Sequence, residues 1–422
     1  MHALDYLVAG AVMIILIMFS YSILTPTVYI PITHIKEQQL DVLAERLIDK
    51  ILLTPGIPYD WGEGRLEDSS IVMPTVFGFG LALNDSEGNA QSYVLDVYKL
   101  LRLKEGSLTQ QEVARLLGLT SDEGHLEYGF NLTICPVMNI TVVDEHGKVL
   151  EDFNSEILEN ITVKVVNHEG IPLPDAKVYI IGMVCYVIQG NNGEDDNSVG
   201  CFTFNANATT NVVGEATIAF NTTDIETSMP SNAKAVRSLY VIYVDFYGLK
   251  SYKVYYMGET QQPLFVVGIE GNDLMIGFNS SVPPGQGQGR GQGRGINRTQ
   301  GARHLLGIYG IAFTLGVPKV TTIGTPERSA RVLNYGSKNA SCFLLENVEQ
   351  QLNAIGVFFF YAPIEPKYHL YVYSLQQVIG PSFSYGSEIE GGKKTVVVAK
   401  RLVKVEGMDY VVIFKLWRMA ED

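Results

Sequence analysis

The stretch Asn160 to Ile180, NITVKVVNHEGIPLPDAKVYI, sets the fold class. Ile161, Val163 and Val165 alternate with polar residues, the period of two that marks a strand with one buried face. A Glu169-Gly170 turn and Pro172 interrupt it, and Ala176 leads into a second strand, so the segment reads as a hairpin. The same pattern extends on both sides, in NITVVDEHGKVL (139–150), GEATIAFNTT (214–223), SLYVIYVDFYG (238–248) and KSYKVYYMG (250–258). Short strands separated by turn residues at this spacing predict a β-sandwich.

Further along, LFVVGIEGNDLMIGF (264–278), LLGIYGIAFTLG (305–316), VFFFYA (357–362), YHLYVYSL (368–375), TVVVAKRLVKV (395–405) and YVVIFKLW (410–417) continue the β character. One helix is expected there, over Leu344 to Ile355. Between the first two of these runs, PPGQGQGRGQGRG (283–295) lacks the apolar surface to offset its ordering entropy, and reads as a flexible loop. At 422 residues the chain exceeds what one core usually serves.

The other decisive segment is at the start. YLVAGAVMIILIMFSYSIL (Tyr6 to Leu24) holds no charged residue, and as a helix it reaches about 28 Å, close to the hydrocarbon thickness of a bilayer. Met1-His2-Ala3-Leu4-Asp5 offers no basic n-region, so a retained membrane anchor over Leu7 to Ile23 is expected rather than a cleaved signal. Next, Ile32, Ile35, Leu40, Leu43, Leu47 and Ile51 form one apolar stripe of an amphipathic stalk that stops at Thr54-Pro55-Gly56. The stripe is packing surface, against either the protein's own head or neighbouring subunits.

Asn-x-Ser/Thr sequons stand at Asn84, Asn131, Asn139, Asn160, Asn207, Asn221, Asn279, Asn297 and Asn339, all beyond the span, where chance gives about two or three. Their excess and one-sided placement predict a glycosylated body outside the membrane. Four cysteines without a C-x-x-C suit an oxidising exterior. Cys185 and Cys201 flank a polar loop and are the expected bridge; Cys135 and Cys342 then pair by elimination.

Between stalk and sandwich lie ILLTPGIPYDWG (51–62), FGFGLAL (77–83), YVLDVYKLLRL (93–103), LTQQEVARLLGL (108–119) and YGFNLTI (128–134). With the apolar helix and its amphipathic continuation, they resemble archaeal pilin-like surface proteins of the type IV class over roughly residues 1 to 140. The resemblance implies assembly with copies of itself or other pilin-like subunits, with Asp5 in the place of the acidic residue near the start of the helix. Residues 138–256 are similar to extracellular immunoglobulin-like or carboxypeptidase-regulatory-like modules, which implies a fold and no activity.

Several motifs weigh less on inspection. SLTQQEVARLLGLT (107–120) resembles the first helix of a helix-turn-helix. However, Thr109 with Glu112 makes a capping box and Gly118 a C-cap, and acidic Ser121-Asp122-Glu123-Gly124 follows in place of a recognition helix. With a formal charge of -14 and no basic face, no nucleic-acid partner is expected. Glu194-Asp195-Asp196-Asn197 lacks the alternating order of a calcium loop. Seven scattered histidines come with no HExxH, G-x-S-x-G or phosphate-cradling loop, so no catalytic residue, metal or cofactor is assigned.

The expected architecture is therefore α+β, mostly β. It comprises a transmembrane helix and stalk (1–54), a small head (55–137), an immunoglobulin-like sandwich (138–256) and a C-terminal β domain (257–422). The expected function is a non-enzymatic, membrane-anchored structural or adhesive surface protein, with membrane lipid as partner of the N-terminal helix. The alternatives are a monomeric anchored ectodomain that binds a glycan or protein, motivated by the aromatic strands Phe358–Tyr361 and Tyr368–Tyr373, and an extracellular hydrolase.

Overall fold

The structure, a computed structural model, describes residues 13–14, 16–18, 38–67, 70–85, 87–143, 149, 160–188, 198–231, 233–257, 382–389 and 395–419, together with the strands between residues 260 and 374 given below. It is mostly β, with 24 strands among the described residues, numbered along the chain.

Asn160–Asn167 (β7) and Lys177–Ile188 (β8) are both strands, but they are not partners, and the expected hairpin is corrected here. β7 lies between Glu215–Ala219 (β10) and Met138–Val143 (β6). β8 lies in a second sheet, ordered Leu249–Met257 (β12), Ala233–Phe246 (β11), β8, Ser198–Thr209 (β9). After one short return, in which Asn167 N–H donates to Ile171 O and Leu173 N–H to Val165 O, the chain crosses between sheets. Pro172 and Pro174 have no N–H to extend a ladder, which is why the pairing stops.

The two sheets bury Ile140, Val142, Ile161, Val163, Val165, Val178, Ile180, Tyr240, Ile242 and Val244 between them. The opposite face of the four-stranded sheet also carries buried residues, Ile181, Met183, Leu239, Val241 and Tyr243. Burial on both faces explains why β8 and β11 read as near-continuous apolar runs, while β7 alternates.

A six-stranded platform joins distant parts of the chain in the order Phe383–Gly386 (β22), Tyr128–Pro136 (β5), Met408–Arg418 (β24), Val396–Val405 (β23), Ala90–Leu95 (β4), Ala82–Asn84 (β3). The expected boundary at residue 257 is thereby corrected, since the last three strands complete the sheet of the head. β23 and β24 are joined by Glu406-Gly407, both at positive φ (47° and 78°), the geometry of a two-residue type I′ hairpin.

Helix α1 (38–53) lies on this platform. Leu40, Ala44, Leu47, Ile48, Ile51 and Leu52 are buried in one core with Phe130, Leu132, Val403, Val412 and Phe414. Of the two roles open for the stripe, the described part packs on its own head; Ile32 and Ile35 lie outside the described residues. Val97–Lys104 (α2) is capped by Asp96, and Gln110–Leu117 (α3) has the expected capping box of Thr109 with Glu112 and Gly118 in the left-handed conformation. Thr222–Thr227 (α4) follows β10.

Two more sheets are described. One runs Arg65–Glu67 (β1), Ser70–Val72 (β2), Arg331–Tyr335 (β18), Lys338–Leu345 (β19), Asp273–Phe278 (β15), Phe265–Ile269 (β14). The other runs Thr260–Gln261 (β13), Lys367–Ser374 (β21), Ile355–Ile364 (β20), Ile308–Ala312 (β16), Lys319–Gly324 (β17). The helix expected over Leu344–Ile355 is corrected at both ends, because Leu344 and Leu345 close β19 and Ile355 opens β20; residues 346–354 lie outside the description.

Of the expected anchor, residues 13–14 and 16–18 are described, as helix. Among the described residues no helix is long and apolar enough to cross a membrane.

Candidate functional site

Three turns meet at one end of the sandwich, because the register Thr209–Lys177–Asp245 aligns the ends of β9 and β11 with the start of β8. Each turn is built by an Asx side chain that accepts backbone N–H groups. Asn167 Oδ1 accepts from Glu169 N (2.9 Å) and Ile171 N (2.8 Å). Asn211 Oδ1 accepts from Val213 N and Glu215 N, both at 3.0 Å. Asp245 Oδ1 accepts from Gly248 N at 3.0 Å. Buried Thr210 pins the first two turns together, donating to Leu173 O (2.6 Å) and accepting from Ala176 N (2.8 Å).

On this fixed frame four large apolar side chains face solvent: Ile171 is 56% exposed, Val212 86%, Val213 50% and Tyr247 85%. Tyr247 is further steadied by an edge contact with Phe246, ring centroids 4.8 Å apart. Rigid, exposed apolar tips lose little entropy on contact, which suits them to bind another surface. The sequence reading missed them, although NVVG (211–214) and NHEGI (167–171) carried a signal: apolar residues at turn tips, where polar ones are usual.

The sandwich is tied to the platform through Asp409, which is 2% exposed. It accepts from Lys250 N (2.8 Å) and pairs with Lys404 Nζ (2.7 Å). Lys400 Nζ lies 3.6 Å from Glu169 of the first turn. On the opposite face of β23, Arg401 grips α1, its Nε 2.9 Å from Asp49 Oδ1 and its Nη2 paired with Glu45. The hydrogen bonds it donates to Asp49 and Glu45 raise the Arg401 pKa.

Cys185 and Cys201 are bonded and lie directly opposite in the β8–β9 ladder, Cα atoms 4.1 Å apart. The expected Cys135–Cys342 pairing is corrected, since Cys135 is a free thiol whose sulfur lies 3.7 Å from Val411 O. The reason is topological: Cys135 is on platform strand β5, whereas Cys342 is on β19 in another sheet, opposite Gly277 and Arg331.

The sequons divide by environment. Asn139, Asn160 and Asn207 are exposed on the sandwich. Asn221 is exposed too, its amide donating to Asp224 Oδ2 at 2.7 Å. Asn84 donates to Tyr59 O at 3.1 Å, and its Oδ1 is buried without a partner. Asn131 donates to Ser384 Oγ (3.0 Å) and Ser387 O (3.3 Å) and accepts from Thr133 Oγ1 (2.9 Å). Asn339 lies on β19, where only the backbone is described. Asp5, Asn279, Asn297, Glu194–Asn197 and Pro283–Gly295 fall outside the described residues. The aromatic runs 358–361 and 368–373 form adjacent antiparallel strands, β20 and β21.

Among the described residues no group of three or more His, Cys, Asp or Glu side chains is placed to hold a metal ion. No family model matches this chain, and no curated protein matches it.

Proposed function

We propose that this chain is a membrane-anchored, pilin-like surface protein whose β modules form a structural or adhesive ectodomain. The observation that carries the reading is the helix at residues 13–14 and 16–18. Met13, Ile14, Leu16, Ile17 and Met18 are 60–69% exposed, and at 100° per residue they point to both sides of the helix. Such a surface needs lipid or apolar partners around it. The Cys185–Cys201 bridge supports an oxidising compartment for the body. The three-plus-four sandwich, in which the chain crosses between sheets after β7, supports the immunoglobulin-like reading of residues 138–256.

The test uses intact cells and membranes. The protein should resist alkaline carbonate extraction, and protease added outside the cells should cleave the body. Release by carbonate, or protection of the body in sealed cells, would refute the anchor or the topology respectively.

A second reading, a monomeric anchored ectodomain that captures a partner protein, draws on the apolar loop tips. Aliphatic Ile171, Val212 and Val213 suit a protein surface better than a glycan. Sizing of native membrane extracts separates the two: an assembled species favours the pilin-like form, and a monomer favours the second reading.

A further inference from the structure

We infer that Asn139, Asn160 and Asn207 are the sandwich positions that accept N-linked glycans in the folded protein, that Asn84 and Asn131 are refused, and that the glycans guard the sandwich's open edges. The inference rests on the exterior placement proposed above, but its structural part stands independently.

Glycan transfer needs a free amide and a backbone that can leave the strand to enter a transferase. The amide Nδ2 attacks the anomeric carbon of a saccharide carried on a polyprenyl diphosphate. The C–N bond forms, the bond from that carbon to the diphosphate oxygen breaks, the diphosphate departs with the electron pair, and the amide proton passes to a base on the transferase. A side-chain amide already hydrogen-bonded within the fold must first break those bonds, and a strand paired on both sides must break two ladders.

Asn131 differs from the accepted sites on both counts, and Asn84 on the first alone. Asn139 is on β6 and Asn207 on β9, each the edge strand of its sheet, and Asn160 is the first residue of β7. All three are exposed. Because alternate residues share a face, the sequon threonines Thr141, Thr162 and Thr209 lie on the same side as their asparagines. Asn131, in contrast, sits in β5 between β22 and β24, with its amide bonded to Ser384 and Ser387. Asn84 is on an edge strand, but its amide is committed to Tyr59 O and its carbonyl oxygen is buried.

Placement also suggests what the glycans do. The sandwich has four edge strands, β6, β9, β10 and β12. Two of them, β6 and β9, carry accepted sequons. A third, β12, is bonded at Lys250 N to Asp409 of the platform. Exposed edges invite pairing with another chain, and a bulky polar group attached to the edge blocks that approach. Asn139 and Asn160 stand on the polar outer face of the three-stranded sheet, about 20 Å apart along the strands, so two glycans shade that face. None of these sites is on the turns carrying Ile171, Val212, Val213 and Tyr247, so the apolar loop end stays open.

The test compares the full chain in detergent, folded or unfolded in urea with reductant. Both forms are offered to a urea-tolerant oligosaccharyltransferase with a polyprenyl-diphosphate oligosaccharide, and glycopeptides are mapped by mass. The folded chain should be modified at Asn139, Asn160 and Asn207 nearly as fast as the unfolded chain, and at Asn84 and Asn131 at least about tenfold more slowly than when unfolded. Equal rates at Asn131 and Asn139 in the folded chain, or refusal of Asn139, Asn160 or Asn207, overturn the assignment.

For the role, the glycosylated chain should remain dispersed in sedimentation, and N139Q/N207Q should self-associate at lower concentration. Unchanged association overturns the guarding role. Glycopeptides from native membranes separate the two layers: sites accepted in vitro but bare in vivo count against the exterior reading and leave the accessibility argument intact.

Discussion

Glu406 offers a prediction whose size follows from the structure. It is the first residue of the two-residue β23–β24 turn, its φ is 47°, and its Oε2 is buried with no hydrogen-bond partner. Burial pushes its carboxyl up to about 8 from an ordinary value of 4.5. The unfolded chain therefore releases this proton near pH 4.5, whereas the folded chain keeps it to about pH 8, and between those values folding binds a proton. The contribution to stability is fully present below pH 4.5 and is lost as the pH rises to about 8. The gap between 4.5 and about 8 corresponds to roughly 5 kcal/mol at most. The residue is half-buried, so the ionised carboxylate can turn toward water, and about 2–3 kcal/mol is expected. Glu406→Gln keeps the shape without the charge. Urea unfolding of the full chain in detergent should show the variant and wild type nearly equal at pH 4, and the variant more stable by that amount at pH 8.5. If the difference is the same at both pH values, or if the variant is no more stable at pH 8.5, the buried-carboxyl argument is wrong.

Other outcomes follow from the same geometry. Reducing the Cys185–Cys201 bridge, which spans 16 residues, should lower stability by about 3 kcal/mol, read as a shift in the urea midpoint under reductant. Arg401→Ala should destabilise by about 1 kcal/mol, since the pairs with Glu45 and Asp49 are partly exposed, and the loss should shrink in high salt. Gly182→Ala should cost about 1–3 kcal/mol in thermal unfolding, because a Cβ there meets the ring of Phe204 directly across the ladder. V212S/Y247S should leave stability within about 0.5 kcal/mol of wild type yet weaken adhesion in a cell-attachment assay; unchanged attachment would remove the loop end as the contact surface.

Much of the local structure was legible because it depends on neighbours in the chain. The alternation of Ile161, Val163 and Val165, the capping box of Thr109 and Glu112, and Gly118 at the helix end are short-range facts, and each appears in the structure. The Cys185–Cys201 bridge was legible for the same reason, since both residues flank one excursion between two strands. The Cys135 pairing failed because elimination ignores where strands go.

By itself, then, the sequence determined a mostly β chain, its helix caps, its turn positions and an uncharged apolar run from Tyr6 to Leu24. Only the tertiary structure decided which strands are neighbours. It sent β7 and β8 into different sheets, returned Phe383–Arg418 to complete the platform of the head, and laid α1 on that platform. Pairing between segments hundreds of residues apart is selected by the burial of whole faces, and no local window of residues carries that information. The same long-range pairing distinguishes Asn131, locked between two strands, from Asn139 on an open edge, although the two sequons read alike in the chain.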